Sequence, residues 1–468
     1  MGQNSKFIYE RPVWEPERRE AAFFYRLEHG SEIINFTETL VFPANQSISN
    51  IPQNLLNNVL NSLSLALGIS YYKLYCPKQV VFENIQLSKG QAEFWNTLYR
   101  KGLGEFFYQN KIDFRGLISF PFNPSQDNRT LPNPPLSGRE YSVSSPDKGE
   151  TEGVLVAPTE RSLVGIGGGK DSIVAAEFLK SLRKPFTGFA VETHTIKEQV
   201  TKLLGVDLIH IRREIDPRLL ELNKRPDIYN GHVPVSSIYA FIGLLAALLY
   251  DYRYIIVSNE QSANYGNTTY LGESINHQWS KSFEFEMLFQ EYVKNFLTPD
   301  VAYFSLLRPF SEIAITKCFV NYPQYFPVFS SCNRNFKITE KTDRKWCLEC
   351  SKCAFTYAML SAFLPKQELL NIFGQNLFTK TTLVPIYKKL LGVMQIKPFD
   401  CVGTPEEVQT AFYLAMKSGE YDNDKAMRFF KEAVLSKIKN IDTMSKEVFN
   451  LSDEHRIPRE FREVLKVD

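Results

Sequence analysis

The sequence predicts an α/β protein built on a doubly wound parallel sheet, with an N-terminal α+β unit and a C-terminal helical region. Three observations lead there. Between residues 162 and 257 short apolar runs alternate with amphipathic helical stretches, the pattern of a parallel sheet covered on both faces. A Gly-rich turn joins the first of those runs to the first of those helices. Residues 22–42 alternate with the period of two strands around Gly30-Ser31, which predicts a hairpin.

Two helical stretches follow the hairpin, near 55–67 and 91–103, with apolar residues at three- and four-residue intervals. From 121 to 148 the composition shifts to Pro, Ser, Asn and Gly, as a linker or long surface connection requires. Ser162-Leu163-Val164-Gly165-Ile166 then reads as a buried strand, and 171–182 as a helix with Val174, Phe178 and Leu182 on one face. Gly188-Phe189-Ala190-Val191, Asp207-Leu208-Ile209-His210-Ile211 and Tyr254-Ile255-Ile256-Val257 read as further strands, separated by helices at 196–204 and 235–249. Ligands of such sheets gather at the carboxyl ends of the strands. The last hundred residues read as helical, most clearly at 407–418 and 424–438.

At 468 residues the chain is too long for one ordinary core. Lys and Arg number 54 against 52 Asp and Glu, with no long block of either sign, so a nucleic-acid footprint is excluded and a small-molecule partner expected. The longest apolar run, 238–250, is shorter than the ~18 residues of a membrane span and reads as a buried helix. Met1-Gly2-Gln3-Asn4-Ser5-Lys6 has no apolar core of signal-peptide length, so no targeting is expected. Seven cysteines, four of them clustered, oppose a disulfide framework and favour a reducing cytoplasm.

After Ile166 stands Gly167-Gly168-Gly169-Lys170-Asp171-Ser172. Glycines at a strand-to-helix turn let the backbone bend tightly and aim amide N–H groups at an anion, with the positive end of the helix dipole behind them. Lys170 adds a cation, so phosphate is the natural ligand. A turn that served helix packing alone would not need Lys, Asp and Ser to follow. A Walker loop needs Gly-Lys followed at once by Ser or Thr, and Asp171 intervenes. The dinucleotide fingerprint fails too, because counting from Gly165 its third glycine falls on Lys170.

What is left, Gly-Gly-x-Asp-Ser, resembles the pyrophosphate loop (PP-loop) of the N-type ATP pyrophosphatases, whose usual form begins Ser-Gly-Gly. The resemblance implies an adenine nucleotide alpha hydrolase-like fold and attack by a substrate oxygen on the α-phosphorus of ATP. It also implies roles: Gly167, Gly168 and Gly169 supply amides, Lys170 and Ser172 bind phosphate oxygens, and Asp171 holds Mg²⁺. Gly167 in place of Ser removes one hydroxyl contact.

Cys347, Cys350 and Cys353 form C-x2-C-x2-C, and Cys332 lies upstream of the first with fourteen residues between. Four soft ligands at this spacing suit a tetrahedral Zn²⁺, with an iron–sulfur cluster as the alternative occupant. The pattern looks like the zinc site of the deazaguanine nitrile synthases, which share the PP-loop. Cys76, Cys318 and Cys401 stand alone and read as ordinary core residues.

Further segments narrow the resemblance: Gly231-His232-Val233-Pro234-Val235, Ser258-Asn259-Glu260-Gln261-Ser262-Ala263-Asn264 and Asn276-His277-Gln278-Trp279-Ser280-Lys281-Ser282. With the loop and the cysteines they resemble the UDP-N-acetylmuramoyl-L-alanyl-L-glutamate epimerases (MurL), from about residue 23 to 365. That resemblance implies adenylation of a glutamate carboxylate in a UDP-muramoyl dipeptide. An acyl adenylate lets the α-carbanion delocalise as an enolate, so a base can remove the proton and inversion follows.

Candidate bases are His194, His232, His277 and Glu260, since imidazole titrates near neutral pH and a desolvated Glu can be tuned to do so. Asn259, Gln261, Ser262, Asn264 and Lys281 are candidate substrate contacts, set against a polar capping loop. Arg212-Arg213 is a candidate for phosphate or carboxylate, set against a solvated surface. His29, His210 and His455 are unassigned. The domains expected are 1–155, accessory or substrate-binding; 156–330, ATP-binding; 331–365, the cysteine metal module; and 366–468, helical. The rival functions are an ATP-dependent amidating ligase of the nitrile-synthase kind and a non-catalytic nucleotide-binding regulator with a zinc module.

Overall fold

The computed structural model describes residues 5–126, 160–192, 194–336, 344–394 and 396–466. Most of the Pro-rich connection predicted at 121–148 lies outside the described residues. The strands are β1 (Ser5–Tyr9), β2 (Val13–Glu15), β3 (Glu20–His29), β4 (Glu32–Val41), β5 (Gln79–Phe82), β6 (Ser162–Gly165), β7 (Phe186–Val191), β8 (Leu208–Glu214), β9 (Tyr254–Val257), β10 (Thr268–Tyr270), β11 (Glu273–Ile275) and β12 (Ala302–Ser305).

Ten of them form one mixed sheet, ordered β12-β9-β6-β7-β8-β4-β3-β1-β5 with β2 on β3, while β10 and β11 pair separately. The run β12-β9-β6-β7-β8 is parallel throughout. The chain enters it at its central strand, β6, builds outward through β7 and β8, and then returns to lay β9 and β12 on the other side. The order therefore reverses between β6 and β9, where a doubly wound sheet leaves a crevice at its carboxyl edge. The hairpin read at 22–42 is β3 and β4, and β4 joins β8 in antiparallel register through Leu40 and Arg213. One sheet thus crosses the boundary expected near residue 155. Buried Glu38 on β4 accepts from Arg213 Nε at 2.6 Å, so this arginine fastens the two halves of the sheet.

Strand alternation divides the core between the two faces. Leu163 and Ile255 point to one side, and Val164 and Ile256 to the other. The first side is covered by α1 (Gln53–Tyr72), α2 (Lys89–Gly102), α3 (Gly104–Asn110) and α7 (Val235–Leu249). The apolar run at 238–250 is this last helix with one following residue, buried rather than membrane-spanning. No helix among the described residues is long and apolar enough to cross a membrane. The second side carries α4 (Lys170–Ser181), α5 (Thr195–Leu204), α9 (Glu312–Phe319), α10 (Ser351–Ser361) and α13 (Pro405–Lys417). Between them in the chain lie α6 (Pro217–Leu222), α8 (Phe283–Tyr292), α11 (Lys366–Phe373) and α12 (Val384–Leu390). The helix read at 424–438 is broken: Lys425–Phe429 is α-helical, Phe430–Val434 a π turn and Leu435–Lys437 a 3-10 turn.

Candidate active site

The Gly-rich turn sits at the crevice between β6 and β9. Gly168 has φ +86°, and a Cβ there would stand 2.7 Å from Ile196 Cγ2, so only glycine fits. Gly169 caps α4 with extended backbone, and a Cβ on Gly167 would meet nothing within 4 Å. The backbone N–H of Ser330 donates to Gly168 O at 3.1 Å and pins the turn from outside. Ser172 Oγ donates to Gly169 O at 3.0 Å. Helix α4 opens at Lys170, leaving the amides of its first turn without carbonyl partners in the helix and free for an anion.

Lys170 is buried and its ammonium donates to two carboxylates, Asp171 and Glu312. Against burial, both hold the Lys170 proton on above the ordinary lysine range. Burial would raise the Asp171 carboxyl, but Lys170, Lys352 and Lys281 keep it below the usual range. Glu312 opens α9 behind the cap Ser311, and its backbone N–H donates to Glu407 Oε1 at 2.6 Å. Burial pushes the Glu407 carboxyl up to about 7. Asp171 and Glu312 are hard oxygen donors of the kind Mg²⁺ takes, and both are paired to the Lys170 ammonium beside the phosphate turn. Glu312 and Glu407 were not singled out by the sequence.

A second group adjoins the first through Lys281. Its Nζ lies 3.4 Å from Cys401 Sγ, and the sulfur, Glu260 and Asp171 together raise its pKa. His277 Nδ1 meets Glu105 Oε2 at 2.5 Å, and His232 stands 3.6 Å from the same oxygen with ring centroids 4.4 Å apart. Burial and the neighbouring His277 hold His232 well below the ordinary imidazole range. Burial pulls His277 down as well, but Cys401 and Glu105 outweigh it and bring it to about 9. The pair therefore carries one proton-rich ring and one neutral ring at neutral pH.

Beneath this group lies Arg308, fully buried, which donates from Nε to Glu286 Oε2 at 3.0 Å, from Nη1 to Glu260 O at 2.8 Å and from Nη2 to Lys281 O at 2.6 Å. Its rigid fork sets the positions of two site residues at once.

Cys401 corrects the reading of an ordinary core residue. It is half-buried, and the chain carrying it is tied down by Asn267 Nδ2 to Pro398 O at 2.7 Å and Gln278 Nε2 to Val402 O at 3.3 Å. Burial pushes the thiol up, yet Lys281 and His277 bring it down to about 6. Lys397, on the same segment, faces Glu407 and Glu260.

The sulfurs of Cys332, Cys347, Cys350 and Cys353 all lie within 4.8 Å of one another, with Cys353 3.7 Å from Cys347 and 3.6 Å from Cys350. Thiolates ~2.3 Å from a tetrahedral Zn²⁺ stand about 3.8 Å apart, so the donor set fits zinc. A cubane would hold its thiolates farther apart, each on a different iron. The module adjoins the phosphate turn: Ser330 precedes Cys332, and Lys352, between two of the cysteines, is buried toward Asp171 and Glu312.

Other predicted residues are placed as follows. His194 caps α5, its Nδ1 accepting from Ile196 N at 3.2 Å while Nε2 meets Asn335 O at 3.0 Å, so both ring nitrogens are engaged. Glu260 is buried at the carboxyl edge after β9. Gln261, Ser262 and Asn264 line a cavity of about 610 Å³ with Glu407, and Ser262 Oγ is buried without a hydrogen-bond partner. Asn264 Oδ1 also accepts from Phe283 N at 2.7 Å, and Asn259 O accepts from Ser305 Oγ at 2.6 Å. Arg213 is committed to Glu38, and Arg212 pairs with Glu214 at 2.7 Å. His29 stacks on Tyr75 at 4.0 Å, away from this group.

Known proteins place this architecture. Residues 1–306 match the MurL N-terminal domain and residues 328–445 the MurL C-terminal domain. The chain is 32% identical over 458 residues to a UDP-N-acetyl-alpha-D-muramoyl-L-alanyl-L-glutamate epimerase of Xanthomonas oryzae pv. oryzae, covering 97% of this chain and 96% of that protein. It is 33% identical over 448 residues to the protein of the same name from Micromonospora sp., covering 95% and 94%. Identity to the Salinispora tropica protein of that name is 34% over 396 residues, covering 84% and 81%. Matched in both halves and similar over nearly its whole length, the chain belongs to the MurL family.

Proposed function

We propose that the chain inverts the α-carbon of the terminal L-glutamate of UDP-N-acetylmuramoyl-L-alanyl-L-glutamate, after activating its carboxylate with ATP as an acyl adenylate. The observation that carries this reading is the junction at Lys281, which faces Asp171 of the phosphate turn on one side and the Cys401–His277 group on the other. Anhydride chemistry and proton chemistry then share one crevice.

An ionised carboxylate resists loss of the neighbouring α-proton, because a carbanion would set negative charge beside negative charge. Joining that carboxylate to AMP removes the obstacle. In this reading the amides of Gly167, Gly168 and Gly169 with Lys170 and Ser172 hold the phosphates, and Asp171 with Glu312 holds Mg²⁺, which supplies charge neutralisation when bound. Gln261, Ser262 and Asn264 are substrate contacts at the adjoining cavity. Glu260, His232 and His277 stay close to the reacting carbon, whereas His194 serves α5. The cysteine module carries a structural zinc. A reaction that consumes ATP on a UDP-linked precursor belongs in the cytoplasm.

Incubation of the purified protein with the dipeptide substrate and ATP in deuterated water tests this. The expected products are D-glutamate carrying deuterium at Cα, AMP and pyrophosphate. Protium retained at Cα, or a new C–N bond formed with ammonia, would sink the reading.

A further inference from the structure

We propose that the sulfur of Cys401 is the base that takes the α-proton from the activated L-glutamate. This rests on the adenylation reading above and goes beyond it by assigning the proton step to a residue far from the loop in sequence.

Three independent placements support it. The first is the return of the chain: Asn267 and Gln278, on either side of the His277 segment, hold the carbonyls of Pro398 and Val402. The sulfur is thereby fixed 3.4 Å from Lys281 Nζ, and that ammonium is the same one that faces Asp171. Lys281 therefore links the sulfur to the turn at which the reading above places the activated carboxyl.

The second is the state of the imidazoles. His277 gives Nδ1 to Glu105 at 2.5 Å, and a ring held protonated by a carboxylate is an acid, not a base. His232 stands 3.6 Å from that same Glu105 oxygen, and burial with His277 beside it makes it a weak base; the sulfur partners His277, not His232. Cys401 is the group beside two cations, Lys281 and His277, which favour its thiolate.

The third points to the ligand. Gln278 is 2% exposed, its Nε2 is used on Val402 O, and its Oε1 is buried with no hydrogen-bond partner among the described residues. A buried amide oxygen needs a hydrogen-bond donor. The α-carbon of the substrate glutamate carries one, the N–H of its peptide bond to L-alanine. Binding that N–H to Gln278 Oε1 sets Cα beside the segment that bears Cys401.

The Cα–H bond breaks as an S–H bond forms, and the electron pair passes to the acyl oxygen of the adenylate as an enolate. The enolate carbon then takes a solvent-derived proton on its opposite face, and the carbonyl returns. Hydroxide left by that solvent water removes the proton from sulfur and restores the thiolate. Water finally cleaves the acyl–phosphate bond and releases AMP.

Full-length Cys401→Ala and Cys401→Ser are compared with the parent by two assays run side by side. Exchange of labelled pyrophosphate into ATP in the presence of the dipeptide reads adenylation, and deuterium wash-in at Cα reads proton transfer. The expected result is pyrophosphate exchange near the parent rate with wash-in reduced by about 10²–10⁴-fold. Iodoacetamide on the parent protein gives the same split without a substitution, and saturating dipeptide with ATP slows the alkylation of Cys401. Wash-in in Cys401→Ala near the parent rate overturns the assignment, as does parallel loss of both activities in both variants and after alkylation. If the parent washes in deuterium without forming AMP, adenylation is overturned, and loss of wash-in in Cys401→Ala still supports the sulfur as base.

Discussion

Arg308 donates to the backbone carbonyl of Lys281 at 2.6 Å from a position with no solvent exposure. A second nitrogen reaches the carbonyl of Glu260, and the third faces Glu286. Replacing Arg308 by Met leaves Glu286 buried without its cation, which costs about 3–5 kcal/mol. Arg308→Lys keeps the charge but cannot reach both carbonyls, so its stability loss is smaller and its turnover loss remains. Urea unfolding and turnover measured on both variants check this.

The phosphate turn makes opposite demands on adjacent glycines. Gly168 is left-handed with Ile196 close by, so Gly168→Ala is expected to cost at least about 1–2 kcal/mol and to suppress pyrophosphate release. Gly167 faces open space, so Gly167→Ser is expected to change stability by less than about 0.5 kcal/mol and to retain ATP turnover. Equal loss in both variants would contradict the geometry.

Metal removal reaches beyond the cysteines. Ser330 and Lys352 connect the module to the phosphate turn, so stripping zinc with a chelator is expected to weaken nucleotide binding as well as stability. Metal analysis should find zinc in the parent and lose it in Cys353→Ser, and nucleotide titration of the stripped protein reads the coupling.

The thiol of Cys401 titrates at about 6 in the fold, below its ordinary value of 9. A depressed folded pKa contributes stability that is fully present above 9 and is lost as pH falls through 6. The thiolate fraction follows the same sign, so alkylation by iodoacetamide should rise through about pH 6 and level off above pH 7. In Lys281→Met the midpoint should move upward, because the ammonium that favours the thiolate is gone. Peptide mass spectrometry at timed intervals measures both curves.

Much of the parallel sheet is legible in the sequence. Strands β6 to β9 and helices α4, α5 and α7 fall within a few residues of their sequence-based bounds, since short apolar runs between amphipathic helices bury on both sides of one layer. Strands β1, β2, β5, β10, β11 and β12 are not legible in the sequence, being short and without clear alternation. The pairing of β4 with β8 was not readable either, because nothing local to Glu38 announces Arg213 as its partner.

The site divides along the same line. By itself the sequence determined the turn from Gly167 to Ser172 and the four zinc-fitting cysteines, because their chemistry lies in short spacings that a strand, a turn and one helix translate directly into geometry. Only the tertiary structure decided that Glu312 meets Asp171 at Lys170, that Glu105 holds His277, and that Cys401 stands beside Lys281. These partners come from separate elements, and each was one more acid or one more lone thiol in the chain. Burial beside opposite charge is what changes their chemistry, and burial is a property of the packed molecule.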